Sequence, residues 1–147
     1  FDQTLAEAID KYEPALIVLA GFMRILGADF VKRYEGKILN IHPSLLPDYP
    51  GTNTHQRVLD AGEKSHGVSV HFVTEELDGG PVIAQESISI QSCDDAESLA
   101  IKTHEKEHLL YPIVASWFAD GRLRLDGNDA FLDEQLLAAT GEQIDTS

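Results

Sequence analysis

The sequence predicts an α/β fold with a mostly parallel sheet that carries one antiparallel strand pair and has helices on both faces. A continuous apolar run at residues 15–21 is typical of a strand covered on both faces of a parallel sheet. Residues 67–73 alternate strictly, and residues 81–90 read as a second strand after a short loop. Because that loop is too short for a crossover helix, we expect the pair to be antiparallel.

The other elements of the first half follow from local signals. Residues 27–34 predict a short helix, and residues 37–41 predict a strand. The prolines of residues 43–50 leave too few backbone donors to extend a sheet, so this segment is a loop. Residues 52–61 predict a helix, with Gly62 as the residue that ends it.

The second half predicts one long helix and little else. Residues 94–120 are helical in pattern, and the apolar side chains lie on one stripe. The members of this stripe are Leu99, Leu110, Val114 and either Trp117 or Phe118. Residues 122–126 predict a short edge strand, and residues 127–147 predict a polar C-terminal tail.

Length and composition fit one globular domain. The chain has 147 residues, of which 43% are apolar and 24% charged, and no apolar run approaches the ~20 residues that span a bilayer. The net charge of −14 disfavours nucleic-acid binding, which requires a basic face. The single cysteine, Cys93, fits a reducing compartment. We therefore expect a cytoplasmic protein that binds neither nucleic acid nor membrane.

The strongest chemical signal is the pair Asn40 and His42 at the end of the predicted strand. Strand side chains alternate with period two, so both project from the same face. An amide donor and an imidazole that titrates near neutrality suit the stabilisation of an oxyanion and the transfer of a proton. Taken alone, the pair also fits a strand end whose polar side chains cap a turn.

A carboxylate stands in a second loop. Asp78 precedes two glycines, which allow the backbone to fold tightly around a ligand. Taken alone, Asp-Gly-Gly predicts only a turn.

Four segments together resemble glycinamide ribonucleotide formyltransferases, in that family's order and at its spacing. They are residues 19–26, 40–47, 67–73 and 76–81. The Asn-x-His-Pro-Ser-Leu-Leu-Pro stretch is shared with other folate-dependent formyl-handling enzymes, whereas Thr54-His55 and residues 69–72 point to the glycinamide ribonucleotide branch. The resemblance runs from about residue 10 to Leu123.

The resemblance implies a Rossmann-like formyltransferase fold and a set of site residues. Asn40 and His42 would stabilise the oxyanion, while Asp78 favours the protonated form of His42. Glu107 would contact the ribose hydroxyls of the nucleotide, and His104 is assigned to the same substrate site. Folate contacts are implied at Met23, Arg24, Ile25, Leu26, Val31, Asn40, Thr74, Glu75, Glu76, Leu77 and Asp78.

The implied reaction moves the formyl group of 10-formyltetrahydrofolate, a cosubstrate, to the amine of glycinamide ribonucleotide in purine biosynthesis. The family's opening βαβ portion, with its phosphate-binding loop, has no counterpart here. We therefore expect residues 1–147 to be a single formyltransferase domain without that portion, whose own activity is open. The oligomeric state also stays open, with a homodimer among the alternatives.

Two other functions are compatible with the motifs. A formyltetrahydrofolate hydrolase, or deformylase, would use the same three catalytic residues with water as the acceptor. A zinc hydrolase would use His104 and His108, which fit His-Glu-x-x-His. A catalytic zinc requires a third protein ligand, and no histidine follows His108, so we expect no metal in the reaction.

Overall fold

The computed structural model describes Thr4, Ala6 and residues 16–19, 27–75 and 79–146. Within them the elements alternate as expected of an α/β protein, which confirms the predicted fold class. The helices are α1 (Ala28–Arg33), α2 (Thr54–Asp60) and α3 (Ala96–Ala119). The strands are β1 (Ile17–Leu19), β2 (Ile38–His42), β3 (Ser65–Phe72), β4 (Val82–Ser89), β5 (Leu123–Asp126), β6 (Asp129–Leu132), β7 (Gln135–Leu136) and β8 (Glu142–Gln143).

The main sheet of the described residues has the order β1-β2-β3-β4-β8. β3 and β4 are antiparallel, as their short connection predicted. β2 and β3 are antiparallel as well, because the proline loop and α2 return the chain to the end of the sheet where β2 stops. β1 with β2 and β4 with β8 run parallel. The sheet is therefore mixed, with its described pairings equally divided rather than mostly parallel.

Alternation along β2 sends its side chains into two cores on opposite faces of the sheet. Leu39 and Ile41 belong to the core that includes Leu110 of α3. Ile38 packs on the other face with Phe30 of α1. Each buried aliphatic side chain of this size contributes about 1.5–3 kcal/mol. Helices thus cover both faces, as predicted, and fix which way Asn40 and His42 point.

The long helix α3 agrees with its sequence pattern. Asp95 and Ser98 form a capping box, in which each side chain accepts a hydrogen bond from the other residue's backbone N–H, at 2.8 and 2.9 Å. The predicted stripe is buried at Leu99, Leu110 and Val114. No helix in the described part of the chain has the length and apolar character needed to cross a membrane.

The segment after α3 differs from the prediction. β5 forms where a short edge strand was predicted, but it pairs with β6 in a separate small sheet that also contains β7. The expected polar tail is folded, because β8 pairs with β4 and the backbone N–H of Thr146 donates to the buried Glu86 carboxylate at 2.9 Å. Strands of two to four residues are too short to show a clear period in the sequence, which is why β6, β7 and β8 were not predicted.

Candidate active site

Asn40 and His42 lie on one face of β2 and meet polar side chains of β3. The register places Asn40 opposite His71 and His42 opposite Ser69. His71 is 2% exposed, and its Nδ1–H donates to the Phe72 carbonyl at 2.9 Å. The pairing with β3 therefore brings an amide and two imidazoles together at the end of the sheet.

The side-chain oxygen of Asn40 is buried and accepts no hydrogen bond from the described residues. Leaving a buried polar atom unpaired costs about 1–3 kcal/mol, so folded proteins rarely keep one without a reason. An N–H group of a bound molecule would satisfy this oxygen. The atom therefore marks where a ligand's donor fits.

His42 is held in one orientation by the loop that follows it. Its Nε2 lies 2.8 Å from the backbone carbonyl of Tyr49. A carbonyl oxygen can only accept, so the ring carries its proton on Nε2. The imidazole is 5% exposed. The loop thus fixes the ring and sets which nitrogen is a donor.

The loop is held on the sheet by two buried side chains that the sequence pattern did not reveal. Ser69 Oγ donates to the Ser44 carbonyl at 2.7 Å and accepts from the Leu46 N–H at 3.0 Å. Gln85 Nε2 donates to the Leu46 carbonyl at 2.7 Å and to Ser69 Oγ at 3.0 Å. Both residues stand on strands and far from the loop in sequence, so only the strand register reveals them.

Helix α2 holds the other side of the same loop. Arg57 Nη1 donates to the carbonyls of Pro50 and Thr52 at 2.7 and 3.1 Å. Its guanidinium also lies 5.4 Å from the centre of the Tyr49 ring. The segment that positions His42 is therefore braced from both the sheet and α2.

Two further histidines pack near His42. His55 Nδ1 lies 3.0 Å from His66 Nε2. Burial, followed by the charge of His42, lowers the pKa of His55. Burial and then the neighbouring imidazoles lower the pKa of His66 to about 4. Both rings are therefore neutral near pH 7, and a hydrogen bond can join them.

Helix α3 contacts both β1 and β2 through Tyr111. Its hydroxyl lies at hydrogen-bond distance from the carbonyls of Leu19 and Leu39, the latter 2.8 Å away. Burial is the main cause that raises the pKa of Tyr111, and the nearby Glu107 carboxylate raises it further. Glu107, which is predicted to bind the substrate, therefore lies one helical turn from Tyr111. Tyr111 in turn contacts β2, the strand that carries Asn40.

Three of the predicted folate contacts line one cavity. Val31, Thr74 and Glu75 surround a volume of about 280 Å³ together with Lys32 and other neighbours. Val31 is 3% exposed and Glu75 is exposed. The structure thus brings together residues that are distant in sequence, as their common assignment requires.

The remaining predicted site residues lie outside the described part of the chain. These are Met23, Arg24, Ile25, Leu26, Glu76, Leu77 and Asp78. Their roles stay predictions.

The His104–His108 pair is present on α3. Nε2 of His104 lies 2.9 Å from Nε2 of His108, and Nδ1 of His104 lies 3.3 Å from Glu107 Oε2. Within the described residues, no group of three or more His, Cys, Asp or Glu side chains could hold a metal ion. The pair thus lacks, in this part of the chain, the third ligand of a catalytic zinc.

Comparisons with known proteins point in one direction. The sequence profile described as formyl transferase matches residues 1–115. The phosphoribosylglycinamide formyltransferase of Escherichia coli (strain K12) is 51% identical over 145 residues, which are 99% of this chain and 68% of that protein. The phosphoribosylglycinamide formyltransferase of Coxiella burnetii, solved in complex with CHES, superposes with a TM-score of 0.93 at 54% identity. That match covers 98% of this chain and 68% of the solved one.

A deformylase is a more distant neighbour. The formyltetrahydrofolate deformylase of Pseudomonas syringae pv. tomato str. DC3000 superposes with a TM-score of 0.83 at 25% identity, over 88% of this chain and 44% of that one. The chain spans about two thirds of the length of the two formyltransferases and less than half of the deformylase.

Proposed function

Because this chain belongs to the formyl transferase family, we propose that it carries the formyl-transfer chemistry of a phosphoribosylglycinamide formyltransferase. In this reaction the amine of glycinamide ribonucleotide attacks the formyl carbon of 10-formyltetrahydrofolate, a cosubstrate. A tetrahedral oxyanion forms and then collapses to release tetrahydrofolate. The step belongs to purine biosynthesis, and it requires no metal ion or covalent enzyme intermediate.

The observation that carries the proposal is the unsatisfied oxygen of Asn40 beside a fixed imidazole. An attacking amine gains positive character and then loses a proton, so an acceptor aimed at its N–H is favourable. The Asn40 oxygen is such an acceptor, buried and without a donor among the described residues. Its amide NH₂ group is the donor that the developing oxyanion needs.

His42 supplies the second donor in this scheme. Its Nε2–H is held by the Tyr49 carbonyl at 2.8 Å, so the ring is already oriented before substrate binds. Shifting this hydrogen bond from the carbonyl to the oxyanion stabilises the transition state, at the cost of the bond to Tyr49. The loop braced by Ser69 and Gln85 keeps the ring within reach.

We assign Asp78 to the support of charge on His42 and to the removal of the amine proton. The pteridine ring is assigned to the turn at Met23, Arg24, Ile25 and Leu26 and to the Glu76–Asp78 loop. These assignments are supported by the resemblance alone. Val31, Thr74 and Glu75 line a cavity that can hold the part of the folate beyond the pteridine ring.

The nucleotide is assigned to the side of the sheet where α3 meets β1. Glu107 can accept hydrogen bonds from two ribose hydroxyls. Support comes from its position one turn from Tyr111, whose hydroxyl bonds to the carbonyls of Leu19 and Leu39. A cytoplasmic location and a homodimer stay predictions.

An assay of purified protein containing this chain separates transfer from hydrolysis. The protein is mixed with 10-formyltetrahydrofolate, with and without glycinamide ribonucleotide, and both products are followed by mass spectrometry. We expect formylated nucleotide and tetrahydrofolate to appear in equal amounts, and only when the nucleotide is present. Release of formate without nucleotide would instead identify a deformylase, and absence of both products would overturn the proposal.

A further inference from the structure

The exposed pair His104 and His108 performs no chemical step in the proposed reaction, although the resemblance assigns His104 to the nucleotide site. The two residues stand at positions i and i+4 of α3, so they project from one face, one turn apart. Their rings are 4.4 Å apart between centroids and nearly perpendicular. The side chain of His104 is 67% exposed. Solvent therefore reaches both imidazoles directly.

The distance between the two Nε2 atoms matches that of two ligands on one metal ion. Nitrogen ligands lie about 2.0–2.1 Å from Zn²⁺, so two of them are about 2.9 Å apart at a right angle and about 3.3 Å apart at a tetrahedral angle. The observed separation is 2.9 Å. Rotation of the exposed rings, without movement of the helix, would direct both lone pairs to one ion.

Glu107 contacts the other ring nitrogen of His104. Its carboxylate lies 3.3 Å from Nδ1 of His104 and 22% of its side chain is exposed. A proton on Nδ1 donates to this carboxylate, which leaves a lone pair on Nε2 of His104. In the ion-free protein this lone pair accepts a hydrogen bond from Nε2–H of His108 at 2.9 Å, so binding a metal ion requires His108 to carry its proton on Nδ1 instead. Metal-bound histidines are commonly held in this way by a carboxylate on the other ring nitrogen.

We propose that His104 and His108 bind one divalent transition-metal ion, such as Zn²⁺ or Ni²⁺, through their Nε2 atoms. Water completes the coordination, and Glu107 orients His104. The net charge of −14 draws cations to the protein. With two protein ligands the site binds an ion reversibly, and it is distinct from the three-ligand zinc of a hydrolase.

His55 and His66 are the main rival for a bound ion. Their ring nitrogens are 3.0 Å apart, so distance alone does not exclude them. However, His66 is 1% exposed, and both rings lie close enough to His42 for its charge to lower their pKa. An ion there would displace packed side chains, whereas one at His104 and His108 displaces only water.

The test is calorimetric titration of the tag-free protein with ZnCl₂ and with NiCl₂. We expect one ion per chain, binding at least about tenfold weaker in His104→Ala and in His108→Ala, and no site in the double variant. Glu105→Gln, on the same helix, is the control for charge and should bind like the unchanged protein. Circular dichroism should be identical for all of them, because both histidines are exposed.

A measurement without substitutions supports the same conclusion. Under Ni²⁺ the NMR signals of the His104 and His108 rings should broaden before those of His55 and His66. Absence of binding by the unchanged protein, affinity in either alanine variant equal to that of the unchanged protein, or loss of the site in His55→Ala would overturn the proposal.

Discussion

Replacing Gln85 with leucine should loosen the loop that orients His42. Gln85 is 3% exposed, and its NH₂ group donates to the Leu46 carbonyl at 2.7 Å and to Ser69 Oγ at 3.0 Å. Its side-chain oxygen accepts from Gln143 Nε2 at 3.2 Å. Leucine has a similar volume but can neither donate nor accept. The substitution therefore removes polar contacts without opening a large cavity.

The size of the effect follows from what each partner keeps. Ser69 Oγ retains the Ser44 carbonyl and the Leu46 N–H, so it stays satisfied. The Leu46 carbonyl, in a residue that is 1% exposed, loses the donor described for it. An unsatisfied buried carbonyl costs about 1–3 kcal/mol. We expect the free energy of unfolding to fall by about 2 kcal/mol.

Urea unfolding and steady-state kinetics check this prediction together. Gln143→Ala is the matched control, because it removes only long hydrogen bonds, at 3.2 Å to the other end of the Gln85 amide and at 3.3 Å to the Thr140 carbonyl, and should cost under about 1 kcal/mol. Turnover of Gln85→Leu should fall even at temperatures where the variant is fully folded, since the Tyr49 carbonyl no longer holds the ring. Stability and turnover equal to those of Gln143→Ala would refute the reasoning.

Three further predictions concern other parts of the molecule. Asn40→Ala and His42→Ala should each lower kcat about 10²- to 10³-fold with unchanged circular dichroism; near-normal kcat in either would remove the oxyanion site. His66, whose pKa is about 4 in the fold against about 6.5 when unfolded, takes up a proton more readily in the unfolded chain. Stability should therefore be lost between pH 6.5 and about 4, by roughly 1 kcal/mol per pH unit in urea titrations, and a slope that His66→Gln leaves unchanged would contradict this. Thr146→Val deletes the hydroxyl that donates to the buried Glu86 carboxylate at 2.7 Å, and we expect it to lower the free energy of unfolding by about 1–3 kcal/mol. An unchanged midpoint of thermal denaturation would contradict this.

The sequence predicted those features that depend on a local period. β2 and β3 show their alternation within a few residues, so the shared face of Asn40 and His42 follows from the order of the amino acids alone. The capping box of α3 and its buried stripe are local signals of the same kind. The antiparallel pairing of β2 with β3 and the strands β6, β7 and β8 were not predicted, because strand pairing depends on contacts between distant segments.

The same limit explains why Gln85 and Ser69 were missed. A buried glutamine on a strand looks like any polar residue of an alternating pattern, and nothing local marks its partner. Leu46 stands 39 positions away, in a loop whose course depends on α2 and on the register of β3. Only the assembled sheet brings these groups to hydrogen-bond distance.

The chemistry of His42 depends on this long-range arrangement more than on the residue itself. An imidazole at the end of a strand has two possible tautomers and many orientations. The local sequence determines neither the tautomer nor the orientation. The Tyr49 carbonyl selects the Nε2–H form, and this carbonyl is in place because Ser69, Gln85 and α2 hold its loop. The orientation of the histidine proposed to be catalytic is therefore specified jointly by three strands and a helix. Substitutions at these buried polar positions should lower turnover even in variants that remain fully folded. That result would separate a positioning role from a purely structural one.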